Sequence, residues 1–513
     1  MRIGLYNRHL ATLGGGERYS LAIAALLSHR NPVEVISHVP VDPAAVQQRL
    51  QMDLGQVRWR VVPEHAPAAL ASLSADYDFF INGSNLDFIP NRAAHAAMVV
   101  YFPLPADGGL NAGLRRYTST FLREWFMLPV FRAGVYGEEA GGARRLAPHA
   151  VIEMPVAPAP YRVHFLLRSA LDAVQEVRVA VDGVEQVRVT VDGRFTPCTL
   201  LMDPSRDQAT HTITVDTAAI TPSARFALHL AGWEADQARN YLYRRWFVRR
   251  LPAWDARLRN PQPADIVAVA RTYPIIWGIS NYTRQWIARY WGLTSSLLYP
   301  PVDVTRFVPS PDKRLQILSV GRFFTGQHNK KHVVMIDAFK QLVDQGLRGW
   351  ELHLAGGVNH GAEHAGYLAQ VQAAARGYPI HLHPDLPFDE LAILYGESAL
   401  YWHAAGFGED EIRQPFKAEH FGITTVEAMA AGCVPVVIAR GGQPELIRHG
   451  VDGYLWQTIA ELLAYTRQLV GDVALRQTLA AAAHASSRRF GLPEFATTLT
   501  GTLAAAGISQ EGG

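Results

Sequence analysis

The stretch from Glu419 to Ile438 leaves this chain few ways to fold. It reads Glu419-His-Phe-Gly-Ile-Thr-Thr-Val-Glu427 and runs on through Ala-Met-Ala-Ala-Gly432-Cys-Val-Pro-Val-Val-Ile438. Phe421 and Gly422 predict a turn, and Thr424 and Thr425 are hydroxyl residues suited to capping a helix. The helix carries Glu427 and Ala428 to Ala431, stops at Gly432 and feeds a buried strand from Val434 to Ile438. A turn at a helix N-terminus presents free N–H groups to an anion. Glu419 and Glu427, eight positions apart, lie on either side and can accept hydrogen bonds from sugar hydroxyls. The residues therefore predict a diphosphate between two sugars.

Elsewhere the chain alternates strand and helix, which predicts βα units and a mostly parallel sheet. Residues 3–6 read as a strand, Gly14-Gly-Gly16 leads into a helix from about Glu17 to Ser28, and Val33 to Val39 is a second strand. Asp78 to Ile81 and Met98 to Phe102 are two more. Pro155-Val-Ala-Pro-Ala-Pro160 is then a stiff linker. Beyond it, period-two alternation in Tyr161–Phe165, Val177–Val181 and Val187–Val191 predicts an antiparallel module. Asp182-Gly183 and Asp192-Gly193 are hairpin signals within it. Arg239 to Arg259 predicts a helix interrupted at Pro252. Leu315–Val320, Glu351–Ala355, His381–His383, Ala399–His403 and Val434–Ile438 predict the strands of a further α/β domain, closed by helices from Ala460, Ala474 and Leu492.

The Glu419–Glu427 motif with Ala-Met-Ala-Ala-Gly and Pro435 resembles the Glu-x7-Glu signature of retaining family 4 glycosyltransferases of the GT-B fold. Ser280-Asn-Tyr-Thr283, Tyr299-Pro-Pro-Val-Asp303, Val320-Gly-Arg322, Lys330 with Ala338-Phe339, Leu354-Ala-Gly-Gly357, Gly441-Gly-Gln-Pro-Glu445 and Gly450-Val-Asp-Gly453 extend the resemblance from about Gly278 to about Leu469. It implies two Rossmann-like domains facing a cleft, with an inserted β-sandwich-like module in the first. The expected boundaries are 1–150, 155–235 for the module, 239–308, 312–490 for the donor-binding domain, and 491–513 for a helix that crosses back, with its tail.

By the same resemblance, Arg322, Lys330 and Glu419 are the catalytic residues. Gly321, Arg322, Lys330, Phe421, Gly422, Ile423, Thr424 and Glu427 hold a nucleotide-diphosphate sugar, with Gly15 and Gly16 as further phosphate neighbours. Cations aimed at the departing phosphate lower the barrier electrostatically, so no metal and no further cofactor is expected. Lys331 stands where the family commonly has Gly, and Tyr101 where it often has His. The acceptor is expected to be a glycan or a lipid-linked molecule. Two other readings stand beside this one: an inactive carbohydrate-binding or scaffold protein of the same fold, or another GT-B enzyme such as a sugar-nucleotide epimerase or phosphorylase.

Composition narrows the classes further. The 513 residues suffice for two or three domains. Apolar content of 49% with 18% charged residues is that of an ordered globular protein. A net charge of +2 gives no polybasic face for nucleic acid. Cys198 and Cys433, in separate segments, show no disulfide or zinc spacing. A start at Met-Arg-Ile-Gly-Leu-Tyr has no signal-peptide core, and no apolar run reaches the roughly 20 residues of a membrane span. The expectation is a cytoplasmic protein. Tyr241-Leu-Tyr-Arg-Arg-Trp-Phe-Val-Arg-Arg250 predicts a half-buried helix with solvated arginines, or alternatively a peripheral contact with the inner face of a membrane. His360-Gly-Ala-Glu363-His364 and Asp76-Tyr-Asp78 are expected not to bind metal, and Glu409-Asp-Glu411 reads as a solvated acidic loop, with a cationic or sugar contact left open by its nearness to Glu419.

Overall fold

The computed structural model describes all residues except 11–13, 39, 63–66, 107–111, 139–142, 172, 206–207, 218–226, 260–265, 327–328, 359–361 and 509–513. Its first strands are β1 (Ile3–Tyr6), β2 (Val33–Ser37), β3 (Arg58–Val61), β4 (Phe79–Asn82) and β5 (His95–Val100). β1 lies parallel to both β2 and β4, and β2 to β3. All four residues of β1 are buried, as expected of a central strand covered on both faces. The helix Gly15–Ser28 follows β1, as the alternation predicts. β3 was not foreseen: Arg-Trp-Arg-Val shows none of the expected apolar run, because it is the partly exposed edge strand.

The antiparallel module begins earlier than the expected residue 155. It comprises β6 (Val130–Glu138), β7 (Arg144–Pro155), β8 (Tyr161–Ser169), β9 (Gln175–Val181), β10 (Val184–Val191), β11 (Thr196–Met202), β12 (Thr210–Thr217) and β13 (Leu228–Ala235) in one eight-stranded sheet. β6 runs along one edge of β7. On the other edge β12 pairs with residues 149–155 and β13 with residues 144–146. The sheet therefore splits at β7 into two leaves, β10-β9-β12 and β11-β8-β13. Alternate residues of both leaves (Val163, Phe165, Leu167; Val177, Val179; Ile213, Val215) share one core. The expected sandwich-like antiparallel module is thus built from one split sheet whose two leaves share a core.

Only one of the two Asp-Gly signals closes a hairpin. Asp182 and Gly183 both take positive φ, +50° and +82°, and join β9 to β10. Asp192-Gly193 instead leads away from β10, because β11 finds its partner in β8. There the Asp192 carbonyl accepts from the Ser169 amide at 2.6 Å.

The remaining strands are β14 (Ile275–Gly278), β15 (Ser296–Leu297), β16 (Arg314–Val320), β17 (Glu351–Gly356), β18 (Ile380–Pro384), β19 (Ser398–His403), β20 (Val434–Ile438) and β21 (Tyr454–Trp456). β14 and β15 complete the first parallel sheet, whose order is β15-β14-β5-β4-β1-β2-β3. The third sheet is parallel, in order β18-β17-β16-β19-β20-β21. Its core packs Ile317, Leu352, Leu354, Leu400, Trp402, Val434 and Val436 against helices that include His332–Asp344 and Ile459–Gly471. By compactness the chain divides into 1–97 with 105–274, and 98–104 with 275–513. No described helix is long and apolar enough to cross a membrane. Cys198 and Cys433 are both buried free thiols.

The Asp182-Gly183 turn yields a test. A Cβ at Gly183 would meet nothing within 4 Å, so only its φ of +82° resists substitution. Gly183→Val should cost about 1–2 kcal/mol through left-handed strain. The check is a lowered melting transition by calorimetry, with Gly193→Val, at a glycine without positive φ, as the quieter control.

Candidate functional site

β16 ends at Val320, and Gly321 passes so close to its neighbours that a side chain would not fit. A Cβ there would lie 2.4 Å from Lys330 Cγ, and one on Gly356 would lie 2.0 Å from the Gly321 carbonyl oxygen. The Lys330 stem is thereby laid over the strand end. Its ammonium donates to Glu419 Oε2, and His403 Nε2, at the end of β19, lies 3.3 Å from the same oxygen. The sheet thus brings Gly321, Lys330 and Glu419 together as one cluster with His403.

Burial pushes the Glu419 carboxyl up, but the Lys330 charge and the His403 ring outweigh it and hold the group well below the usual carboxylate range. Burial likewise lowers the His403 ring below its ordinary value, against the pull of Glu419.

Lys331 goes a different way. It occupies the left-handed region (φ +59°, ψ +39°) at the cap of the His332–Asp344 helix, a conformation in which glycine is at ease. Its amide is held by Asn329 Oδ1 at 2.7 Å, and its ammonium donates to Glu409 at 2.7 Å. Lys417 takes the other Glu409 oxygen at 2.8 Å. These two donated bonds hold Glu409 below its usual value. Of the two readings of the acidic loop, the structure shows the cationic contact: Glu409 is a lysine-bound strut rather than a freely solvated acid.

The second half of the site is the Ile423–Ala430 helix. Gly422 caps it at φ +114°, a conformation only glycine adopts freely, and its missing Cβ leaves room for Gln443, whose Nε2 would lie 2.6 Å away. The hydroxyls expected to cap this helix serve other contacts: Thr424 Oγ1 accepts from Tyr401, and Thr425 Oγ1 donates to Gln443 Oε1. Phe421 is buried, packed 5.5 Å from the Tyr299 ring, while Ile423 and Thr424 are half-buried. Glu427 accepts from the buried Tyr395 hydroxyl at 2.9 Å. Two buried polar atoms beside this ground, His403 Nδ1 and Gln443 Nε2, have no hydrogen-bond partner among the described residues. Such atoms are costly to leave unpaired, and they are groups that a polar ligand could satisfy.

Arg322 stands apart from the cluster. It is exposed, with its guanidinium 5.1 Å from the Phe324 ring. Gly15 and Gly16 form the first turn of their helix, where Glu17 caps the Gly14 amide at 2.7 Å. The Tyr101 carbonyl accepts from Thr283 at 3.0 Å, and Phe102 next to it stacks on His420. Glu445 binds the amides of Asn281 and Tyr282, both at 2.7 Å, and so caps the Asn281–Trp291 helix. Asp78 accepts from the Arg2 amide and Asp76 pairs with Arg60, so this acidic pair is structural. Of the His360–His364 motif, residues 360 and 361 lie outside the described residues, and Ala362 to His364 open the helix Ala362–Ala375.

The sequence reading missed His403, Gln443 and Tyr395. The one available signal was position: His403 ends a largely apolar parallel strand, the edge at which open α/β sheets bind ligands.

A carboxyl held down by its neighbours stabilises the fold above its unfolded pKa, and that contribution is lost as pH falls through the folded value. For Glu419 the unfolded value is about 4.3. Glu419→Gln should therefore melt with a shallower acid dependence below about pH 4.3 than the wild type. Scanning calorimetry across a pH series checks this, and identical slopes would count against the Lys330–Glu419 pair.

Residues 304–485 match the model of the family "Glycosyl transferases group 1". The chain is similar to the GDP-Man:Man(3)GlcNAc(2)-PP-Dol alpha-1,2-mannosyltransferase of Homo sapiens, 26% identical over 248 residues, or 44% of this chain and 47% of that protein. The protein of the same name from Dictyostelium discoideum is 26% identical over 208 residues, 37% and 38% of the two chains. The chain thus spans about half the length, or less, of these curated relatives. Among solved structures, Anabaena HepE in complex with UDP aligns at a TM-score of 0.53 and 13% identity, over 98% of this chain and 100% of that one. Sucrose-phosphate synthase from Thermosynechococcus elongatus aligns at 0.53 and 14% over the whole of both. At such identities the likeness is one of fold. Lys330, Glu419 and the Gly422-capped helix lie inside the segment 304–485 that matches the group 1 glycosyl transferases, and the two parallel Rossmann-like sheets are those of the GT-B fold.

Proposed function

We propose that this chain transfers a hexosyl group from a nucleoside diphosphate donor to a glycan or lipid-linked acceptor, with retention of configuration. The observation that carries this reading is the Lys330–Glu419–His403 cluster, together with the Gly422 turn, inside the segment that matches the family model. GDP-mannose is the donor to test first, because the curated relatives are named for it.

Breaking the sugar–phosphate bond leaves negative charge on a phosphate oxygen. Lys330, neutralised by Glu419 when no donor is present, would turn to that oxygen. Arg322, exposed at the end of β16, would supply a second cation. The glycines at 321 and 422 allow the backbone to approach the diphosphate, and the amides of Ile423 and Thr424 would meet it at the helix start. Phe421 would hold that turn in place from beneath. Glu419, released from Lys330, would accept hydroxyls of the transferred sugar. Glu427, oriented by Tyr395, would accept the ribose diol. Gly15 and Gly16 would serve an anion at the start of their own helix. In this scheme the two cations replace a metal, so activity should survive EDTA.

The test is a transfer assay with GDP-mannose, UDP-glucose and other sugar nucleotides. Lys330→Ala should lower kcat by about 10²–10³-fold. Lys331→Gly, which relieves a left-handed lysine, should retain most activity. Donor binding without turnover would favour the inactive carbohydrate-binding reading, and donor isomerisation without transfer an epimerase. Equal rates in wild type and Lys330→Ala would overturn the assigned role.

A second observation concerns the acceptor. The Ala112–Trp125 helix exposes Tyr117, Phe121 and Trp125, spaced four apart on one face. Next to it, Tyr243 and Phe247 are buried against Phe126, while Tyr241, Leu242, Trp246 and Leu251 are exposed among the exposed Arg245, Arg249 and Arg250. The half-buried helix foreseen from the sequence therefore also has an aromatic and basic outer face. That composition suits the headgroup layer of an anionic membrane, and we propose peripheral binding there on the side where a lipid-linked acceptor is met. Vesicles containing anionic lipid should co-sediment the wild type. Phe121→Ser with Trp246→Ser should reduce this several-fold while leaving donor binding intact, whereas undiminished sedimentation would reject the surface.

A further inference from the structure

On the face of the third sheet at its β18 edge, four ligating side chains converge. The parallel register sets His353 of β17 beside His381 of β18. Glu351 precedes His353 by two positions and His383 follows His381 by two, so all four share one face. His353 Nε2 lies 3.1 Å from Glu351 Oε2, and His381 Nε2 lies 3.7 Å from Glu351 Oε1. Glu351, His353 and His381 can each bring one ligand atom within 4.8 Å of the others. Tetrahedral zinc, with bonds of about 2.0–2.2 Å, needs ligand atoms roughly 3.3 Å apart, so small side-chain adjustments close the set.

Two further features distinguish this cluster from a chance meeting of surface groups. The other ring nitrogen of His353, Nδ1, sits 3.0 Å from His383 Nε2, and the two rings are stacked 9° from parallel. A metal-ligating histidine is commonly oriented by a hydrogen bond from its second nitrogen, and here His383 Nε2 is placed to accept one. Gln316, the register partner of Glu351 on β16, is buried with its Oε1 unpaired among the described residues. An acceptor without a donor at this position suits a water carried by a metal ion. Glu351 and His381 are half-exposed, at 43% and 48%, which leaves an entry path from solvent.

We propose that Glu351, His353 and His381 form a binding site for a divalent transition-metal ion, foremost Zn²⁺, oriented by His383. The mixed imidazole and carboxylate donors favour zinc, nickel or copper over magnesium or calcium. The ion would clip the edge strand β18 to β17. It lies toward the start of β17, while Gly356 at the other end packs against Gly321 near Lys330, so the site is separate from the Glu419 cluster. No sequence spacing announces it, because its ligands come from two paired strands some thirty positions apart.

The test uses the full chain without a histidine tag, stripped with EDTA and titrated with ZnCl₂ by calorimetry, alongside melting curves. The wild type should bind one ion per chain and melt at a higher temperature with Zn²⁺. His381→Ala, at a half-exposed position, should fold with the metal-free melting temperature of the wild type and lose both the binding and the rise. His383→Ala should weaken affinity by about 10–100-fold, as loss of an orienting partner does. The sugar-nucleotide response of the same samples should be unchanged in both variants, so failure here is distinguishable from failure of the transferase reading. No stoichiometric binding by the wild type, or equal binding by His381→Ala, would overturn the proposal.

Discussion

The attraction between Lys330 and Glu419 organises the candidate site at the ends of β16 and β19. Two charges held this close and largely out of water must be compensated by each other. That requirement reaches back into the backbone. Lys330 attains its place because Gly321 lets its stem lie flat, and Gly321 is itself pinned by Gly356. Glu419 is held from the other side. Its carbonyl accepts from the Gly442 amide at 2.7 Å, and a Cβ on Gly441 would collide with that same carbonyl. His403 then supports the carboxylate from the end of β19.

The pair also explains the divergent use of two adjacent lysines. Lys331, directly after Lys330, is itself a left-handed backbone step, and the two ammonium groups go to different carboxylates. One carboxylate, Glu419, belongs to the buried cluster; the other, Glu409, ties a loop that also receives Lys417 and offers its carbonyl to Arg440. A glycine at 331 would allow the same turn without the second anchor. The chain therefore carries an additional strut beside its site.

Much of this was legible in the sequence. Gly-rich turns, apolar strands and helix caps in the second half produced β16, β17, β19 and β20 within a residue or two of expectation, because buried parallel strands announce themselves as apolar runs. Glu419 and Lys330 were legible through a motif. Their partner His403 was not, since a histidine at a strand end looks like any other until the sheet brings it beside a carboxylate. β3 and β21 were missed for being short or edge-placed. Asp192-Gly193 misled because a turn residue encodes a local bend, while strand pairing is decided by which neighbour offers a free edge. The β6–β7 pairing escaped for a related reason: several register shifts interrupt its alternation.

The contact between Gly356 and the Gly321 carbonyl has one more consequence. The loop bearing Lys330 is positioned by backbone resting on backbone, with no side chain between them. The apolar layer beneath reaches this loop through two buried rings, Phe323 and His332, so side chains away from those rings should be the freer to exchange without shifting the ammonium above. In such an arrangement the chemistry and much of the core are free to drift at different rates, joined by those rings and by two residues that have nothing to mutate except their own smallness.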